Sequence, residues 1–218
     1  MSVKISAITI GSISVDVDKL KSLGNIGVFQ ITDQKSCDEI INTVAADDIV
    51  FILSKGGEVY YAEKFFSRLP ALKIYIVTES QAADNKNLRD AIIQIPEKDF
   101  SQSVYEIIEG IRDFEIINLK TMLKNSGKAV ALVSVANSLE NAADELLSKY
   151  ENEFKTARVI LVTIFGSAKS LSMFAVNDVT EKIQDSVSKD AEIIWKLNSD
   201  ESYGDKVKLG ITVGKFIA

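Results

Sequence analysis

Few residues in this chain are placed to do chemistry. Lys55-Gly56-Gly57 follows a Val/Ile-rich run and precedes a helical pattern. Glycines there would let backbone N–H groups approach and cradle a phosphate. A Gly-Gly pair is a weak motif by itself, and a plain strand-to-helix turn is the favoured reading. Asp47-Asp48 could form half a metal site, but no third ligand is visible, and charge at a strand start is favoured. Trp195 and Tyr203 could form a binding patch; packing in the core and in a turn is favoured. Tyr60-Tyr61 with Phe65-Phe66 reads as core rather than as a cofactor box. Cys37, with only Lys35 as a close basic neighbour, reads as a packing residue rather than a reactive thiol.

Composition narrows the chemistry further. The 218 residues include no His, so Ser-His-Asp and Cys-His nucleophiles, His-ligated metals and imidazole pH switches are excluded. The single Cys excludes internal disulfides, Cys-x-x-Cys redox chemistry and Cys-rich zinc modules. A net charge of -6 argues against a nucleic-acid binder and, more weakly, against anionic membrane surfaces. No segment has the pattern of a targeting signal or reaches the ~20 apolar residues that span a bilayer. The expected setting is a reduced cytoplasm, with no metal and no cofactor.

The elements that must position these residues alternate between strand-like and helical runs, the mark of an α/β fold. Strands are expected at 3–10, 26–32, 49–53, 72–78 and 91–95. Ser36-Cys-Asp-Glu39 reads as a capping box opening a helix over 37–46. A helix over 58–69 is expected after Gly56-Gly57, and a polar loop over 81–87. From Ser101 onward, Val104, Ile107, Ile108 and Ile111 keep helical spacing. A helix over 116–124 follows, ending at Gly127. Then come a strand over 128–136, a helix capped by Ser138 to about 150, a strand over 158–165 and a helix over 177–188. Strands at 192–197 and 206–216, joined by a turn holding Gly204-Asp205, read as an antiparallel hairpin.

Several runs in the second half carry a family resemblance. Asn118-Leu-Lys-Thr-Met-Leu123 with Gly127 resembles the segment after the catalytic loop of FtsZ, the bacterial tubulin homologue. Asn141-Ala-Ala-Asp-Glu-Leu-Leu147 is similar to the next helix, and Ala157 to Gly166 to the strand and glycine turn beyond it. Leu171 to Val179, Ala191 to Trp195, Asp200 to Asp205 and Val207 to Phe216 follow in the family's order. In the first half, Val28 to Gln34, Ala46 to Ile52, Ile74 to Thr78 and Ile95-Pro96 are similar more faintly. The resemblance implies a shortened FtsZ/tubulin-like α/β architecture: a reduced Rossmann-like first domain (1–112) and a second domain (113–218) with a four-stranded mixed sheet and two helices.

The resemblance also shows what is missing. The family's first glycine cluster corresponds to Gly11-Ser-Ile-Ser-Val-Asp-Val-Asp18, where one glycine remains and Asp16 and Asp18 would repel phosphate. Its signature glycine loop corresponds to Ser54 to Tyr61, where only Gly56 and Gly57 remain and Glu58 opposes an anion. The sugar loop reads Pro96 to Phe100, without the family's Asn-Asp-Arg. The catalytic loop, whose acidic residues would position water in the next subunit's site, corresponds to Asp113-Phe-Glu-Ile-Ile-Asn118. Asn118 falls where a catalytic aspartate belongs and cannot act as a carboxylate base. Glu115 and Asp113 are read as the solvated start of a helix. The expectation is therefore no catalytic residue, no bound nucleotide and no GTPase activity. The protein would act through contacts with a protein partner, FtsZ or itself, in cell division or filament regulation, with filament capping as one form. Two alternatives stay open: a GTPase with remodelled phosphate loops, and a nucleotide-independent self-assembling protein. The chain stops at Ala218, just past the last strand, so no independent membrane tether is expected.

Overall fold

Continuous apolar runs, rather than alternating ones, build the strands of the first half. Ile5–Ile10 (β1) and Ile49–Ser54 (β3) are buried at every position, the pattern of a parallel sheet covered on both faces. The computed structural model describes residues 3–11, 13–55, 66–78, 91–95, 98, 100–112, 114–123 and 128–214. They fall into two compact units, Met1–Lys128 and Ala129–Phe216.

In the first unit, β1 is followed by Val17–Ser22 (α1), Ile26–Ile31 (β2), Gln34–Val44 (α2), β3, Leu72–Thr78 (β4), Ala91–Ile95 (β5), Phe100–Arg112 (α3) and Ile116–Leu123 (α4). The strand order is β2-β1-β3-β4-β5, with every pair parallel. Ile8, Ile10, Val50, Ile52, Tyr75 and Val77 form one core face, closed by Ile40 and Val44 of α2 and by Phe66 and Leu69. The four periodic residues of α3 (Val104, Ile107, Ile108 and Ile111) are all buried.

Two local expectations shift here. α1 begins at the end of the run read as a loop remnant (11–18) and continues to Ser22. The capping box also sits one turn earlier than expected. Asp33, not Ser36, is the cap of α2: its carboxylate accepts the Ser36 N–H at 2.8 Å, while Ser36 Oγ accepts the Asp33 N–H at 3.1 Å. Asp33 reaches that N–H from an extended backbone, so Ser36 takes the reciprocal role. The expected helix over 58–69 lies mostly outside the described residues, as do the loop over 81–87 and Gly127.

The second unit runs Lys128–Ala136 (β6), Leu139–Lys149 (α5), Glu151–Lys155 (α6), Val159–Gly166 (β7), Met173–Ser186 (α7), Glu192–Ser199 (β8), a 3-10 turn at Glu201–Tyr203, and Val207–Gly214 (β9). Ser138 caps α5 as expected. α7 starts four residues early because Ser172 Oγ accepts the Ala175 N–H at 3.1 Å. The strand order is β6-β9-β7-β8. The sheet is mixed and four-stranded: β8 runs parallel to β7, while β9 lies between β6 and β7, antiparallel to both.

This corrects the expected terminal hairpin. β8 and β9 do not pair, because β7 stands between them. The turn joining them crosses the end of β7, where the Asp200 N–H donates to the Gly166 carbonyl at 2.9 Å. Two of the helices, α5 and α7, pack with the sheet around Leu132, Ile160, Val162, Ile164, Leu209 and Ile211.

Candidate functional site

In open parallel sheets, ligands bind beyond the carboxyl ends of the strands, where the strand order reverses. In the first unit that point lies between β1 and β3, because β1 is flanked by β2 on one side and β3 on the other. Gly11 leaves β1 with φ 74°, a left-handed turn that glycine makes without strain. Its N–H donates to the Ile31 carbonyl at 3.4 Å, and its carbonyl accepts from Gln30 Nε2 at 3.3 Å. Gly11 is thus engaged with β2 on both sides of its peptide unit.

The two helix starts beside this point are occupied from within. After β1, Asp16 caps α1, its carboxylate accepting the Lys19 N–H at 2.9 Å. The Asp16 N–H in turn donates to Ser101 Oγ at 2.9 Å. Lys19 Nζ donates to Gln102 Oε1 at 2.6 Å and lies 4.4 Å from the Tyr105 ring centroid. After β2, Asp33 caps α2, and hydrogen bonds from Ser36 hold its carboxyl below the usual 3.8. A helix start attracts anions because its first N–H groups lack partners. Here a carboxylate of the chain takes that place twice.

Beyond β3, Ser54 is fully buried and the Lys55 carbonyl accepts from Thr78 Oγ1 at 3.1 Å. Lys55 Nζ lies 5.4 Å from the Phe100 ring centroid, a cation–π contact. Gly56 and Gly57 lie outside the described residues, as do Pro96, Glu97 and Asp99 of the expected sugar loop.

The catalytic-loop positions lie at the opposite edge. Glu115 is exposed and its carbonyl accepts the Leu119 N–H at 3.1 Å, at the start of α4; Asn118 is half-buried. Asp113 lies outside the described residues. Glu115 lines a cavity of about 360 Å³ with Ile5, Leu23, Ile26, Arg112 and Phe114, at the amino ends of β1 and β2. The length of β1, roughly 3.3 Å per residue, separates this edge from Gly11. Gly11 and Glu115 therefore do not meet within one chain.

The remaining candidates have local partners. Asp47 accepts a hydrogen bond from Ser6 Oγ at 2.5 Å and Asp48 accepts the Lys4 N–H at 3.0 Å, so both fasten the start of β3 to β1. Among the described residues no group of three metal-ligating side chains occurs. Cys37 is buried, and burial pushes its thiol pKa up. Trp195 packs against the core of the second unit, and Tyr203 stacks on Phe165 at 6.0 Å.

Sequence reading missed the capping role of Asp16 and its partner Ser101. The signal was present in Asp16-Val-Asp-Lys19, a cap residue followed by an acidic first turn. It also missed Lys208, buried with its Nζ 4.4 Å from the Phe165 ring centroid.

Comparison with known proteins places this geometry. Residues 122–216 match the family model described as FtsZ family, C-terminal domain. No curated protein matches by sequence. The fold is similar over 98% of this chain and 88% of the other to an empty FtsZ dimer from M. jannaschii, with TM-score 0.76 and 15% identity. It is also similar to CetZ from Methanosaeta thermophila: TM-score 0.67, 11% identity, 96% of this chain and 86% of that one. GDP-form protofilaments of TubZ from Bacillus thuringiensis match with TM-score 0.58 and 7% identity, over 99% of this chain and 84% of that one. No helix among the described residues is long and apolar enough to cross a membrane.

Proposed function

We propose that this chain, whose residues 122–216 match the FtsZ C-terminal domain family model and whose fold is similar to that of FtsZ, is a shortened, non-GTPase member of the tubulin/FtsZ superfamily acting through protein–protein contacts. The observation that carries this reading is the double internal capping at the carboxyl edge of the first sheet. Asp16 and Asp33 put negative charge where a nucleotide's phosphates would need donors. Asn118 adds to it, since an amide at that position cannot serve as a carboxylate base. The FtsZ it resembles was captured as a dimer and the TubZ as protofilaments, which supports subunit contact as its mode of action.

A chain that keeps the second unit but has lost phosphate binding could add to one end of an FtsZ filament and stop growth there. Equilibrium dialysis with labelled GTP and Mg²⁺ tests the first part. No retention is expected, and micromolar binding would restore the reading of a GTPase with remodelled loops. Sedimentation of FtsZ filaments with and without this protein tests the second. A fall in polymer mass is expected, and unchanged polymer mass with no co-sedimentation removes filament capping.

A further inference from the structure

Among the described residues, β2 ends the strand order of the first unit and β8 that of the second. A terminal strand offers backbone groups to any other strand, and natural edges are blunted by charge, proline or bulges. β8 carries Glu192 and Lys196. β2 reads Ile-Gly-Val-Phe-Gln-Ile, with no charge and no proline. It pairs with β1 without a bulge from Ile26 to Ile31.

The register fixes which backbone groups of β2 point outward. Thr9 of β1 stands opposite Gln30. The Phe29 carbonyl accepts from Thr9 Oγ1 at 3.3 Å, and the Ile31 carbonyl accepts the Gly11 N–H at 3.4 Å. Backbone groups alternate sides along a strand. Gly27, Phe29 and Ile31 therefore turn theirs to β1, while Val28 and Gln30 turn theirs away. No hydrogen bond among the described residues engages the N–H or carbonyl of Val28 or Gln30. The next outward N–H on either side is already used. That of Ile26 donates to the Gly24 carbonyl, and that of Thr32 to Ser36 Oγ at 3.2 Å. The open edge is thus centred on Phe29.

We propose that β2 is a homodimer edge, on which a second copy pairs antiparallel about a two-fold axis at Phe29. The edge fits its own reverse. Val28 of each copy faces Gln30 of the other, and each such pair exchanges both of its backbone hydrogen bonds. An axis at Val28 or at Gln30 would instead need the occupied N–H of Ile26 or Thr32. Phe29 meets its counterpart at a non-hydrogen-bonded position, where side chains come closest. Ile31 then stands across from the other copy's Gly27. A Cβ on Gly27 would lie 2.7 Å from Phe29 Cε2, so the Phe29 ring lies over its own Gly27 and against that Ile31. Phe29 and Ile31 are half-buried and already pack on the first core, which the pairing continues across the axis. The strand itself brings no charge. On the helices beside it and their caps, Asp16, Asp18, Asp33, Asp38 and Glu39 outnumber Lys19, Lys21 and Lys35. Association therefore rests on backbone bonds and apolar contact against mild like charge, which salt screens. The inference goes beyond the reading above and does not depend on nucleotide.

A six-residue edge is a small interface, so light scattering without GTP at about 100 μM should give twice the chain's 23.9 kDa. Added salt should tighten the dimer. Hydrogen exchange should slow at the Val28 and Gln30 amides as the protein is concentrated, and stay unchanged at Ile26 and Thr32. Val28→Pro removes one outward donor per copy and leaves the pairing with β1 intact. It should weaken the dimer by about 30-fold with an unchanged circular dichroism spectrum. Gln30→Lys, at an exposed position, places a charge on the edge and should weaken it by about 10-fold; it carries the test alone if the proline variant fails to fold. A monomeric wild type, a dimer that keeps its affinity in these variants, or one that dissociates as salt rises would each overturn the proposal.

Discussion

At the scale of single residues, much of the chain's chemistry is spent on holding itself together. Asp16 reads from sequence as a charge that repels phosphate, and Asp47-Asp48 as half a metal site, yet each of them, like Asp33, accepts a hydrogen bond from a defined partner. Gly210 in β9 is another residue whose purpose appears only in three dimensions. A Cβ there would sit 2.7 Å from Thr163 Oγ1 on the neighbouring strand, and Thr163 Oγ1 donates to the Gly210 carbonyl at 3.3 Å. Thr163 is buried and cannot move aside freely. Gly210→Ala should cost about 1–3 kcal/mol in urea unfolding. Combined with Thr163→Ala, the loss should be smaller than the sum of the two single losses. Additive losses would show that the close approach does not matter.

At the scale of elements, composition and periodicity foretold the strands well, because buried parallel strands are unbroken apolar runs. β4 and β5 fall where the apolar runs place them, and α3 follows its i, i+3, i+4 spacing. What stayed hidden was pairing. β8 and β9 are neighbours in sequence, and neighbours in sequence usually pair. Nothing in Glu192–Ser199 or Val207–Gly214 shows that β7 separates them. The short α6 was missed for lack of a cap, since Tyr150 makes no side-chain capping bond. In the candidate site, the capping of both helix starts by Asp16 and Asp33 stayed hidden, because a cap is set by backbone geometry rather than by residue type alone. The topology has a measurable consequence. Amides of β9, bonded to strands on both sides, should be among the slowest to exchange in the second unit, whereas alternate amides of the terminal strand β8 should exchange faster. Equal protection in β8 and β9 would contradict this strand order.

At the scale of the whole molecule, a chain without histidine has little to titrate near neutrality. The Asp33 and Asp200 carboxyls are held below 3.8, chiefly by hydrogen bonds from Ser36 and Ser202, and Glu151 below 4.5 by its bond from Lys155. A depressed carboxyl contributes stability above its unfolded pKa and loses it as pH falls through the folded one. On the alkaline side, burial raises the Cys37 thiol above 9.0, and bonds to Asp144 and Glu140 raise Lys182 above 10.5. Stability from raised groups is complete below the unfolded pKa and is lost as pH rises through the folded one. The urea midpoint should therefore be flat from about pH 5 to 8.5 and fall on both sides; a step near pH 6.5 would contradict the assignment. The place of β9 also bears on how the protein is made. The strand at the centre of the second sheet is the last to be synthesised, and Ala129 must await Gly214 to find its partner. While the ribosome is still working, β6 and β7 have an unfilled slot between them, and their exposed edges are open to strands of other nascent chains. In the first unit the pairing of Ile5 with Ile49 spans 44 residues rather than the 85 between Ala129 and Gly214, so the delay there is shorter.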